Sequence, residues 1–128
     1  MSMNVVAQVF AVLAGLLHVL IFTMESVLFR RPQVHGRFRV KPQDLAAVHP
    51  WAFNQGFYNL FLGLGALGGV VAVHTGHPVV GAAVALFSCA CMLGAAVVLA
   101  ATDRRMARAA LIQGLTPLAA LVAALLAG

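Results

Sequence analysis

His18 and Glu25 stand seven residues apart inside the first long apolar run of this 128-residue chain. On an α-helix that spacing leaves them about 20° apart around the axis and about 10 Å apart along it. They therefore share a face and can look into one cavity without touching, since Phe22 lies between them on that side. A carboxyl group and an imidazole held in this way form an acid/base pair, one giving a proton where the other takes one. The placement is costly: a charged side chain near a bilayer centre carries a penalty of at least ~2.5–3.5 kcal/mol, and residues that bear it usually face a bundle interior and do chemistry there. Glu25 is also the only acidic residue within an apolar run, because Asp44 and Asp103 fall between runs.

The second apolar run opens with Trp51-Ala52-Phe53 and then sets Asn54, Gln55, Tyr58 and Asn59 in its first two turns. These four cover an arc of about 140° on a helix, a broad polar face for a membrane span. Depth links them to Glu25, because both sets lie a similar distance from the same end of their runs. Gln113 and Thr116, followed by Pro117, reach a comparable level in the last run, and His18 lies deeper, toward the midplane. Three runs thus converge on one polar zone. Glu25, His18 and Tyr58 are the catalytic candidates, with Tyr58 as hydrogen-bond donor or electrophilic partner. Asn54, Gln55, Asn59, Gln113 and Thr116 are the substrate-binding candidates. Gln8, roughly 80° from His18, stays outside the set. The competing reading is that amides and hydroxyls here are interhelical glue, worth about 0.6 kcal/mol each. Glu25 tips the balance toward a pocket, since glue seldom needs an ionisable group.

The elements that must position these residues follow from composition. The chain is 62% hydrophobic and 9% charged, with mean hydropathy +0.99, which excludes an ordinary soluble domain. Apolar runs at about 4–29, 52–74, 78–101 and 107–127 are each near the ~20 residues a helix needs to cross a hydrocarbon core. The expected fold is all-α: a polytopic four-transmembrane-helix bundle forming one domain over residues 1–128. The first run reads as a retained helix rather than a cleaved leader, because residues 1–10 carry no Lys or Arg and the run ends at Arg30-Arg31.

The net charge of +5 would point to nucleic acid in a soluble protein, but its placement marks topology instead. Arg30, Arg31, Arg37, Arg39 and Lys41 lie in the first connection, residues 30–50, and Arg104, Arg105 and Arg108 lie around the third. With four spans these connections share one side. The positive-inside rule assigns that side to the cytoplasm, giving a multi-pass protein of a bacterial inner membrane with both termini extracytoplasmic. Contact with anionic lipid accounts for the Arg37-Phe38-Arg39 stretch better than contact with nucleic acid does. Pro42 to Val48 reads as a short helix lying on that surface, and Thr75-Gly76-His77-Pro78 as a tight hairpin between the second and third spans. Gly63, Gly65, Gly68, Gly69, Gly81, Ala85, Ser88 and Gly94 mark close helix contacts, within one bundle by default or between two copies in a homodimer.

No metal or cofactor is expected. Cys89 and Cys91 point about 200° apart on a helix and read as small packing residues. His18 and Glu25 are too far apart along their helix for a shared zinc, and no glycine-rich phosphate loop occurs. His35, His49, His74 and His77 fall at span ends and read as interfacial.

The segment His18-Val19-Leu20-Ile21-Phe22-Thr23-Met24-Glu25, with Asn54-Gln55-Gly56-Phe57-Tyr58-Asn59, resembles a widespread family of small four-span bacterial membrane proteins catalogued as a domain of unknown function. The likeness covers nearly the whole chain. It implies a four-helix bundle and weight on these polar positions, and no particular reaction. Three functional classes follow from the residues. An intramembrane isomerase, epimerase or cyclase would act on a lipophilic small molecule through Glu25 and His18. A small proton-coupled transporter would use the same carboxyl, although basic residues confined to one side argue against an antiparallel dual-topology dimer. A non-catalytic accessory subunit would offer the polar face to a partner helix.

Overall fold

The computed structural model describes residues 3–127, and among these the chain is helical with no strand. Helix α1 runs Val5–Phe22, started by Asn4, whose side-chain oxygen accepts the Ala7 N–H at 2.8 Å. It continues as a wider π-turn over Thr23–Val27, in which the Leu28 N–H reaches back five residues to the Thr23 carbonyl at 2.9 Å. The short helix α2 is Pro32–His35. Helix α3 is Leu45–His74, α4 is Pro78–Thr102 and α5 is Ala107–Ala127. Four of these units are long and apolar enough to cross a membrane, as in a multi-pass membrane protein.

The four long helices stand in a ring. α1 packs between α3 and α5, and α4 packs between α3 and α5 on the opposite side. Small residues set the spacing. A side chain on Gly15 or Gly63 would collide with the other residue's carbonyl, so α1 and α3 cross backbone to backbone at that point. Gly69 and Gly81 do the same for α3 and α4, and Gly65 lies against Ser88. The Gly65/Gly69 pair is therefore used inside the bundle, whereas Gly68 and Gly94 face open space rather than a neighbour. Ala7, Ala11, Ala14, Ala66, Ala82, Ala85, Cys89, Met92, Ala120 and Ala124 fill the core of the half nearer the chain ends. A hydrogen bond of 2.6 Å between Gln8 Oε1 and His74 Nε2 ties α1 to α3 at that end.

Three expectations change. The first span ends at Val27, because Phe29 leaves the helix and becomes the most buried large side chain of the connection, 2% exposed. It packs against Phe38 and His35, and His35 is itself buried and bonded through Nδ1 to the Val40 carbonyl at 2.9 Å, so it is a packing residue of the loop rather than an interfacial one. The segment expected as a separate surface helix is instead a 3₁₀ turn over Pro42–Asp44 that feeds straight into α3, which begins at Leu45 rather than near 52. Pro50 does not break it. The N–H that proline lacks would have reached Ala46, an exposed residue of the first turn, where solvent can take its place.

Candidate functional site

The π-turn is what presents Glu25. Inserting one extra residue in a helical turn bulges the backbone outward, and such bulges recur at functional sites. Here the bulge leans on α3, where Gly56 receives it: a Cβ on Gly56 would overlap Ser26 Oγ and would stand 3.0 Å from Ser26 Cβ and 3.2 Å from Glu25 Cβ. Ser26 Oγ donates to the Phe53 carbonyl at 2.7 Å, fixing the register of the two elements. One turn beyond Gly56, the Asn59 amide uses both its hydrogens, one donated to Glu25 Oε1 and one to the Gln55 carbonyl at 3.3 Å. The Asn-Gln-Gly-aromatic-Tyr-Asn string thus supplies a socket and a donor for one carboxyl group.

Glu25 opens on a cavity of about 480 Å³ in the basic half of the bundle, lined on its polar side by His18, Gln55, Asn59, Gln113 and Thr102. Glu25 and His18 are buried, with 9% and 2% of their surface exposed. His18 Nδ1 lies 2.9 Å from the Ala14 carbonyl, which can only accept, so Nδ1 carries a hydrogen and Nε2 is the atom that bears the lone pair in the neutral ring. Glu25 Oε1 is taken by Asn59, which leaves Oε2 to engage a ligand. Phe38, from the first connection, caps the cavity together with Met106. Gln55 on α3 and Gly94, Val98 and Thr102 on α4 line it and are exposed, so the cavity opens sideways between these two helices. On the α5 side, Pro117 lacks the N–H that would bond the Gln113 carbonyl in a regular helix.

Five of the eight residues chosen from sequence therefore meet: Glu25, His18, Gln55, Asn59 and Gln113. Three do not. Tyr58 is 59% exposed and points outward, Asn54 is exposed, and neither lines the cavity. An arc of about 140° is wider than the face one helix can turn into a bundle, so its outer members face outward. Thr116 also lies off the cavity, and its Oγ1 is buried without a hydrogen-bond partner among the described residues. Ser26, Gly56, Phe38 and Thr102 are not among the site candidates the sequence yields. Of these, Gly56 alone carried a signal, as a glycine embedded in the polar string.

Among the described residues no group of three His, Cys, Asp or Glu is gathered as a metal site would require. Cys89 is buried and Cys91 half-buried, and both are free thiols. No curated protein and no solved structure matches the chain. A family model does, over residues 12–125, which takes in α1 from its second turn through nearly all of α5 and therefore every residue of the cavity. The chain belongs to the family described as Protein of unknown function (DUF1304).

Proposed function

We propose that the protein is an intramembrane acid/base catalyst acting on a lipophilic small molecule, with Glu25 and His18 as the proton-transfer groups. The observation that carries this reading is the buried Glu25 carboxyl, held at one oxygen by Asn59 and open at the other to a cavity it shares with His18. Isomerisation, epimerisation and cyclisation need little more than this: a site shielded from water, one group that gives a proton and one that accepts it. The Nε2 lone pair of His18 suits the accepting role, and Gln55 and Gln113 offer amides to orient a polar substituent. The sideways opening between α3 and α4 supports entry from the bilayer, where a lipophilic substrate is dissolved. The close-packed alanine core in the other half of the bundle favours a pocket with one entrance over a transport path. In this reading the basic end faces the cytoplasm of a bacterial inner membrane.

The reading can be tested without knowing the substrate. Proton shuttling at carbon exchanges substrate hydrogen with solvent, so a membrane lipid extract incubated with the purified protein in D₂O gains deuterium in specific species, detected by mass spectrometry. Wild-type protein labels at least one species, and E25Q lowers that labelling by a factor of ~10² or more, the usual scale for a lost acid/base group. Equal labelling by a folded E25Q protein removes proton transfer at Glu25 from the account.

A further inference from the structure

The two basic connections, far apart in sequence, come together over the capped side of the cavity. Arg37 and Arg39 from the first and Arg105 and Arg108 from the third line a groove of about 640 Å³. Arg39 sits at φ 61°, a left-handed conformation that a residue with a Cβ seldom takes, closing the turn Gly36–Phe38. Gly36 in the groove wall meets no atom within 4 Å of where a side chain would begin, so the space is open. One carboxylate is close: Asp103 pairs with Arg105 at 3.1 Å, and the hydrogen bond from that guanidinium holds its carboxyl below the usual carboxylate range. That pair is the only ion pair among the described residues, so Arg37 and Arg108 have no carboxylate partner and Arg39 acts on Asp103 only at longer range. Met106, Ala109 and Ile112, which border the groove, also border an apolar crevice of about 150 Å³ between α1 and α5, walled by Leu17, Ile21 and Met24. Met106 and Ala109 line the Glu25 cavity as well.

We infer that this end of the protein takes a phosphate-bearing amphiphile, its phosphate forked by Arg37, Arg39 and Arg108 and its first apolar segment laid in the α1/α5 crevice. Guanidinium groups meet phosphate oxygens two at a time, and unmatched arginines facing one open volume are the residues for that task. The adjoining apolar slot requires the phosphate to carry hydrocarbon, and the shared Met106 and Ala109 set the molecule beside Glu25. Phosphate capture rests on the cavity reading above only for where the remainder of the ligand reaches, and is independent of proton transfer.

The test is ligand binding to the purified full-length protein in neutral detergent, followed by calorimetry. Three probes are compared: dioctanoyl phosphatidic acid, dioctanoylglycerol and inorganic phosphate. Phosphatidic acid is expected to bind at least tenfold more tightly than either of the others. R39K/R108K, which keeps every charge and so leaves insertion unaltered, weakens it several-fold. R37Q/R39Q/R108Q weakens it more than tenfold. Undiminished binding by the triple variant, or equal binding of dioctanoylglycerol, overturns the site. Inorganic phosphate binding as tightly as phosphatidic acid overturns the amphiphile and assigns the groove to a free anion. Failure here with deuterium labelling intact at Glu25 separates this inference from the acid/base reading.

Discussion

Gly56→Ala puts the smallest side chain into the contact that seats the Glu25 turn. The new Cβ overlaps Ser26 Oγ, and rotating that hydroxyl away forfeits its 2.7 Å bond to the Phe53 carbonyl. A lost hydrogen bond of this kind costs about 0.5–1.5 kcal/mol. Rotation does not remove the remaining conflict, because Ser26 Cβ at 3.0 Å and Glu25 Cβ at 3.2 Å are fixed to the backbone, so the π-turn and α3 must move apart. Overpacking of a tight contact costs about 1–3 kcal/mol. Alanine also gains over glycine in a helix, by roughly 0.5–1 kcal/mol, and this gain must be cancelled before the contact can be read. Gly68 provides the control, since it lies on the same helix with nothing within 4 Å of its missing Cβ. G56A is therefore expected to be less stable than G68A by about 2–4 kcal/mol. Denaturant unfolding in mixed micelles, followed by far-ultraviolet circular dichroism, measures the difference. In an S26A background, where that hydrogen bond is already absent, the cost of G56A falls by the part owed to the hydroxyl. Equal stability of G56A and G68A would refute the idea that the Asn-Gln-Gly string exists to seat the Glu25 turn.

Three further outcomes follow from the same geometry. Tyr58→Phe leaves deuterium labelling within twofold of wild type, because Tyr58 is outside the cavity; a loss beyond tenfold returns it to the site. Thr116→Val raises stability by about 1 kcal/mol in the same unfolding assay, since it replaces a buried hydroxyl lacking a partner with a methyl of similar shape, and a destabilisation would show that the hydroxyl is bonded. Gln8→Ala and His74→Ala each lower stability by about 0.5–1.5 kcal/mol, and the double variant costs no more than the larger single one, because both remove the same hydrogen bond; additive losses would refute that pairing.

The spans were legible in the sequence because bilayer thickness imposes a length and a composition that no other constraint imitates. The depth match between Glu25 and Asn59 was legible for a related reason: both are counted from a charged end, and they meet in a direct hydrogen bond. Facing was less so. Regular 3.6-residue periodicity places Tyr58 and Asn59 on one polar arc, yet which edge of the arc turns inward is decided by α1 and α4, whose positions depend on Gly15, Gly63, Gly69 and Gly81 together. The π-turn leaves no mark of its own in Thr23-Met24-Glu25-Ser26-Val27, which holds neither proline nor glycine. Its only trace is on another helix, at Gly56. Pro50 and Pro42 read as punctuation, but a proline within the exposed first turns of a helix withholds only a bond that water can replace. The arginine groove was out of reach for a different reason. Its halves lie about 70 residues apart, and only the ring order of the helices brings them to one place.

α3 and α4 approach closely from Gly81 to Ser88, where backbones touch at Gly69, Gly81 and Ala85 and Gly65 receives the Ser88 side chain. Beyond it Gly94 meets nothing, and the helices part to form the cavity mouth. This is the geometry of a pair of tongs, joined near one end. From Ser88 to Thr102, α4 is an arm roughly 20 Å long. A tilt of about 5° at the joint, shared with α5 through the short turn after Thr102, then moves the far end by about 2 Å, with no hydrogen bond broken along the helix. On the proposed function, the size of molecule admitted beside Glu25 is then set by the fit of a few glycines and alanines in the other half of the bundle.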